Sequence, residues 1–120
     1  MIVLGETKIE YEYMGAFSGE TGWCHPTVCL TTHELILVTE GDVFLFEGES
    51  EYHLQRGDYI LLSPSITHGG YRESDAKVAF TWLHFRAERF DALGIPKTGV
   101  LKDGYRAEYR LRELLHLAQG

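Results

Sequence analysis

The sequence has little cysteine, no long apolar run and a shortage of positive charge, and each shortage excludes a class of protein. Its two cysteines, Cys24 and Cys29, are expected to be free thiols, because nothing in the chain indicates secretion. The first residues, MIVLGET, have no basic region and too short an apolar stretch for a signal peptide. No apolar run exceeds the length of a strand, so no membrane span is predicted. We therefore expect a cytoplasmic protein.

The charge balance bears on partners. The chain has 11 lysines and arginines against 18 aspartates and glutamates, a formal net charge of −7. A domain that grips phosphates needs a surplus of basic residues, so this chain is not expected to bind nucleic acid through its own surface. Its 120 residues, 44% hydrophobic and 24% charged, indicate one globular domain that can bury a core without metal or disulfide staples.

Short strands separated by turn signals dominate the chain as far as residue 86. Residues 8–14, KIEYEYM, alternate with a period of two, and the glycine-rich stretch 15–22 is predicted to be a loop. Further strands are predicted at residues 33–39, 43–47, 51–54, 59–62 and 77–86. This even spacing of short strands is typical of an antiparallel sandwich or barrel.

The character of the sequence changes after residue 86. Residues 87–93 are predicted to form a helical turn, residues 94–99 a loop, and residues 104–119 a helix. The helix has one apolar stripe, made of Ala107, Leu111, Leu114, Leu115 and Ala118. This stripe either packs on the barrel of its own chain or, as we expect, also contacts a second subunit through Leu111, Leu114, Leu115 and Ala118.

Three segments carry a resemblance to a known family. They are HELILVTEG, with an E-x6-G pattern from Glu34 to Gly41, GDYILLSPSITH from Gly57 to His68, and TWLHFR at residues 81–86. In this order and spacing they resemble the N-terminal effector-binding cupin domain of AraC-type transcription regulators, over roughly residues 20 to 118.

The resemblance implies a mainly β fold, a cupin-type antiparallel β-barrel of the double-stranded β-helix or jelly-roll kind with a C-terminal α-helix. Residues 1–14 would form an N-terminal arm and first strand, and residues 15–86 the barrel. Residues 87–120 would form a helical segment for dimerisation, leading to a DNA-binding domain that this chain does not include.

The resemblance also bears on metal binding. Metal-binding cupins have an H-x-H pair shortly before the glutamate, but those positions here hold Val28 and Leu30, or Thr27 and Cys29. Only Glu34 and His68 stand where the ligands would be, and two protein ligands are too few for a catalytic metal. A second group of zinc-ligand types follows no known zinc spacing: Cys24, His25, Cys29 and His33. We therefore expect no metal, no other cofactor and no enzymatic activity.

Strand alternation and the resemblance together predict a ligand pocket. Alternation places Glu34 and Ile36 on one face of their strand, and Phe80, Trp82 and His84 on one face of the last strand. The resemblance directs Glu34 into the barrel, where its carboxylate would accept hydrogen bonds from a polyol or sugar, with Trp82 stacked on the ring. Three residues near this region are further candidates, namely His25, His68 and Tyr71.

Each of these roles has an alternative that involves no ligand. Glu34 could lie half-solvated at the barrel mouth, paired with an arginine. Trp82 could be ordinary core, and His68 a core histidine with all its hydrogen bonds made.

The function that the resemblance implies is effector sensing and homodimerisation in a transcription regulator. Its partner would be a small molecule, with a sugar as one candidate class, and DNA would be contacted only through the absent domain. The first rival is a small metal-dependent cupin enzyme, an isomerase or dioxygenase, which metal analysis of the purified protein would reveal. The second rival is a free-standing sugar-binding cupin. Basic helical sequence following Gly120 in the reading frame would favour the regulator over that rival.

Overall fold

A computed structural model describes residues 2–4, 7–101 and 114, with residues 2–4 described by their backbone alone. In these ranges the chain forms nine β-strands and one 3₁₀ helix, Phe90–Leu93. The strands are β1 (Ile2–Leu4), β2 (Thr7–Gly19), β3 (His33–Glu40), β4 (Val43–Glu47), β5 (Ser50–Leu54), β6 (Asp58–Leu62), β7 (His68–Gly70), β8 (Val78–Ala87) and β9 (Thr98–Val100). Apart from Leu114, which is helical and fully buried, the predicted helix at 104–119 lies outside the described residues.

The strands form two antiparallel sheets. The larger sheet has the order β1-β2-β8-β3-β6-β9 and the smaller one the order β5-β4-β7. A tight turn after β3 connects the two sheets, and Gly41 adopts a φ of 75° there. A Cβ atom at this position would lie 2.2 Å from the carbonyl oxygen of Lys77, so only glycine fits. This requirement explains the glycine that ends the E-x6-G pattern.

Two apolar layers hold the fold together. The inner layer lies between the sheets and consists of Ile36, Val38, Val43, Leu45, Leu54, Ile60, Leu62, Val78 and Phe80. The outer layer covers the opposite face of the larger sheet and consists of Ile9, Leu35, Tyr59, Leu61, Leu83, Phe85 and Leu114. Because successive residues of a strand face opposite sides, β3, β6 and β8 each contribute to both layers.

The mainly β antiparallel architecture and the predicted strands between residues 33 and 87 are confirmed, with ends shifted by one residue in places. The loop predicted at residues 15–22 is wrong for its first five residues. There β2 continues to Gly19 and pairs residue by residue with β8, a long-range pairing that no local pattern specifies. The loop predicted at residues 94–99 is similarly shortened, because Thr98 and Gly99 pair with β6 as part of β9.

No helix within the described ranges has both the length and the apolar character that crossing a membrane requires.

Candidate functional site

The centre of the candidate site is the carboxylate of Glu34. Glu34 lies on the inner face of β3, opposite His84 of β8, and only 5% of its surface is exposed. One carboxylate oxygen, Oε1, lies 3.2 Å from Nε2 of His68, and the other, Oε2, lies 3.1 Å from Nε2 of His84. Glu34 therefore bridges two imidazoles from different strands. It is neither half-solvated nor paired with an arginine.

The charge of Glu34 follows from two opposing effects. Burial by itself would raise the pKa of this carboxyl group. The contacts with His68 and His84 outweigh burial and leave the pKa of Glu34 below its ordinary value. The carboxylate is therefore ionised at neutral pH, and the two imidazoles provide the compensation that a buried anion needs.

His68 offers an unused polar group to this site. Its backbone is fixed by two hydrogen bonds with Val28, one in each direction, and the residue is 1% exposed. Its Nε2 contacts Glu34 at 3.2 Å without the alignment of a hydrogen bond, and its Nδ1 has no hydrogen-bond partner among the residues that the structure describes. Buried polar atoms in folded proteins are nearly always hydrogen-bonded, so a buried imidazole with an unsatisfied Nδ1 is unusual. His68 is therefore not a core histidine with all its hydrogen bonds made.

An aromatic wall adjoins the histidines. The ring of Tyr13 meets Trp82 edge to face at 5.5 Å and lies 4.7 Å from the ring of His84. Gly15 stands opposite Trp82 in the register, and a Cβ there would come within 2.6 Å of the indole. Gly15 therefore leaves the space that Trp82 occupies. Tyr13 is 54% exposed, so this wall extends from the buried carboxylate to solvent.

Tyr13 was missed by sequence reasoning because of a β-bulge. Strict alternation places Tyr13 on the same face as Ile9 and Tyr11, but the register of β2 shifts between Tyr11 and Tyr13. The extra residue turns Tyr13 to the inner face, next to His84, while Tyr11 packs on the outer layer. The unusual run of aromatic residues in β2 was the available signal, but it does not reveal the bulge.

An apolar floor continues inward from the wall. Ile36 is fully buried, and Phe80, 4% exposed, contacts the ring of Trp23. His25 lies between this floor and the carboxylate, with its ring 5.4 Å from that of His68. Burial lowers the pKa of His25, so its imidazole is neutral at pH 7. Trp23 had not been predicted to belong to the site.

The structure brings most of the predicted ligand-binding residues into one neighbourhood and places one elsewhere. The neighbourhood contains Glu34, Ile36, His68, Phe80, Trp82, His84 and His25. Tyr71 is exposed and packs edge to face on Phe44, whose ring faces away from the inner layer, so its position does not support a pocket role. The bend after β7 turns Tyr71 outward, which strand parity could not predict.

The predicted dimer contacts are described only at Leu114. This residue is fully buried in the outer layer of its own chain, and its carbonyl oxygen accepts a hydrogen bond from the hydroxyl of Tyr11. Leu114 is therefore in contact with its own sheet, and its part in a dimer stays a prediction. Leu111, Leu115 and Ala118 lie outside the described residues.

The donor set does not suit the metal ion that many cupins hold. Each oxygen of Glu34 contacts a different imidazole, so these side chains pair with one another. Across the described ranges, no three His, Cys, Asp or Glu side chains are grouped as a metal site would require. Cys24 and Cys29 are exposed free thiols.

Comparison with known proteins agrees with this geometry. Among solved structures, protein YhaK from Escherichia coli is similar with a TM-score of 0.61 and 14% identity, over 80% of this chain and 44% of that one. A cupin superfamily protein from Desulfitobacterium hafniense gives a TM-score of 0.56 and 10% identity, over 72% of this chain and 83% of that one. A predicted oxalate decarboxylase from Thermotoga maritima gives a TM-score of 0.56 and 9% identity, over 62% of this chain and 66% of that one. At these identities the likeness shows the cupin fold alone.

Sequence comparison is more specific. An uncharacterized HTH-type transcriptional regulator, YisR, from Bacillus subtilis (strain 168) is 36% identical over 73 residues, which are 61% of this chain and 24% of that protein. The chain thus spans about a quarter of the length of this curated relative. The family model described as the AraC-like ligand binding domain matches residues 14–119. The chain therefore belongs to the AraC-like ligand-binding domain family, as its motifs had indicated.

Proposed function

We propose that this chain senses a small polar molecule, of the sugar or polyol class, at the site around Glu34. The observation that carries the proposal is the buried, ionised carboxylate of Glu34 beside the imidazole of His68, whose Nδ1 has no hydrogen-bond partner in the described part of the chain. A polyol would supply hydroxyl donors to Glu34 and a hydroxyl partner to His68. The adjoining face of Trp82 suits the apolar side of a sugar ring.

The proposal extends to the larger protein. The relative YisR is an HTH-type transcriptional regulator of about four times the matched length. We propose that this chain likewise serves as the sensor of an AraC-type regulator, acting in the cytoplasm as a homodimer. Contact with DNA would be made by another domain, in keeping with the net charge of −7 here. The chain would act by binding, not by catalysis.

The domain division follows the same proposal. Residues 1–14 would form the arm and first strand, residues 15–86 the barrel, and residues 87–120 the segment that leads to the DNA-binding domain.

A binding screen with a matched pair of variants tests the site. The wild-type domain is titrated with arabinose, xylose, rhamnose, glucose and inositol, and binding is followed by calorimetry and by tryptophan fluorescence. Glu34→Gln keeps the shape of the side chain but removes its charge, which should weaken binding of any positive compound about tenfold or more. Glu51→Gln changes an exposed glutamate of β5 and should leave the affinity unchanged.

Two results would contradict the proposal. One is equal weakening by both variants, which would mean that the effect is not local to the site. The other is a bound compound whose affinity is insensitive to Glu34→Gln.

A further inference from the structure

A second cleft lies on the opposite face of the larger sheet from Glu34. It encloses about 420 Å³, within the range of small-molecule sites. Its floor is formed by His33, Leu61 and Ala87, from the outer faces of β3, β6 and β8. The 3₁₀ helix and residues 94–97, which precede β9, form its walls. Their apolar side chains at the cleft are Phe90 and Ile95. None of these residues belongs to the site described above.

One wall carries a lysine that is held in place from several directions. The Nζ atom of Lys97 lies 2.5 Å from the buried carboxylate of Glu47 and donates a hydrogen bond of 2.8 Å to the carbonyl oxygen of Leu61. Glu47 also accepts a hydrogen bond from the backbone N–H of Ser63. An ammonium group has three donors, and the contacts within the described part of the chain engage two of those of Lys97. The ammonium group of Lys97 is therefore held in position by contacts with residues of the two sheets.

A second cation stands at the rim. Arg89 is exposed and has no ion-pair partner among the residues that the structure describes. Its backbone is left-handed, with φ 54°, and its carbonyl oxygen accepts hydrogen bonds from Thr7 and Ala92. These bonds hold a conformation that arginine rarely adopts. These bonds fix the backbone of Arg89, and the residue lines the cleft.

The two positive charges at the cleft are balanced by two carboxylates, so a single negative charge on a ligand would be attracted by the exposed Arg89 and not by a net positive charge. Arg89 and Lys97 contribute two positive charges, against which stand the rim carboxylate of Asp91 and the buried Glu47 that pairs with Lys97. Burial lowers the pKa of His33, so this imidazole adds no charge at pH 7. Its ring is stacked on Phe85 and tilted against Phe90, which makes this part of the floor aromatic.

We propose that this outer cleft binds a small amphipathic carboxylate, a monoanion whose apolar body is about the size of one or two fused rings. The body would lie on Leu61, Ile95 and Phe90, and the carboxylate would face Arg89 and the ammonium group of Lys97. A planar carboxylate suits a guanidinium group, which can bind both oxygens at once. This site is independent of the sugar or polyol site on the inner face.

The test is a protein NMR titration with a matched pair of probes, 2-naphthoate and 2-naphthalenemethanol. The acid should cause saturable shifts in the backbone amides of Ser63, Ala87 and Lys97, and leave those of Glu34 and His84 unshifted. The neutral alcohol should bind at least about tenfold more weakly, because it lacks the charge that the cations recognise. Equal affinity for the two probes would overturn the proposal, and so would shifts confined to the inner face.

Variants give a second arm to the test. Arg89→Gln should weaken binding of the acid about three- to fivefold and leave the alcohol unaffected, as expected for a partly exposed cation. Arg56→Gln, in the turn at the other end of β6, is the matched control and should change neither affinity. Ala87→Phe should fill the cleft and abolish the shifts while the amide spectrum stays folded. Binding that persists in Ala87→Phe, or equal effects of the two arginine variants, would place the probe elsewhere and refute the site.

Discussion

Replacing Glu34 by glutamine should destabilise the domain in a pH-dependent way. The change keeps the volume of the side chain but removes the charge that contacts His68 and His84 at 3.2 and 3.1 Å. Hydrogen bonds and close contacts of a charged group contribute about 1.5–3 kcal/mol, and the amide retains part of one such contact. We expect a net loss of about 2 kcal/mol in the free energy of unfolding at pH 7, or roughly 8 °C in Tm for a domain of this size.

The pH dependence follows from the direction of the pKa shift. The pKa of Glu34 in the folded protein is below the ordinary value of 4.5 that applies to the unfolded chain. Its contribution to stability is therefore complete above about pH 4.5 and is lost as the pH falls through the folded pKa. The difference in stability between wild type and Glu34→Gln should be largest near neutral pH and shrink on acidification.

Urea unfolding of both proteins between pH 7 and pH 3.5 measures this difference. Glu51→Gln, which changes an exposed glutamate, serves as the control and should follow the wild type at every pH. A difference that stays constant down to pH 3.5 would refute the assignment of a lowered pKa. A Glu34→Gln variant more stable than wild type at pH 7 would show that burial outweighs the histidine contacts, contrary to our reasoning.

Three further experiments test the fold and the proposed assembly. Gly41→Ala and Gly22→Ala both place alanine at a positive φ, but only at Gly41 would the new Cβ meet a backbone carbonyl, at 2.2 Å. Thermal unfolding should therefore show that Gly22→Ala lowers the free energy of unfolding by about 1 kcal/mol and that Gly41→Ala lowers it by clearly more. Ile36→Ala empties a fully buried position of the inner layer and should cost about 2–5 kcal/mol in urea unfolding, and a loss below 1 kcal/mol would contradict that placement. Leu111→Glu combined with Leu115→Glu should lower the apparent mass in sedimentation and leave the thermal transition in place, whereas unfolding would show that the stripe is core.

Much of the inner face was predictable because strand alternation is a local property. Glu34 and Ile36 share the inner face of β3, and Trp82 and His84 share the inner face of β8, as a period of two requires. The turn glycine Gly41 was likewise visible in the sequence. These features depend only on neighbours in the chain, so residue patterns specify them.

The remainder depends on contacts between distant segments. Nothing near Gly15 indicates that it must leave room for the indole of Trp82, and without that pairing a glycine-rich stretch resembles a loop. The bulge that turns Tyr13 inward is a departure from alternation, so alternation could not predict it. The family resemblance directed attention to Tyr71 but could not supply the turn that carries it outward.

The central claim is that Glu34 and its two histidines form the polar end of a ligand site. Long-range ¹H–¹⁵N spectra of the imidazole rings test it most directly, recorded on the wild-type domain with and without the sugar or polyol that binds in the screen. We expect the ring nitrogens of His68 and His84 to shift on binding, those of the exposed His53 to stay unchanged, and the shifts to disappear in Glu34→Gln. Saturating ligand that leaves the nitrogens of both His68 and His84 unchanged would contradict it.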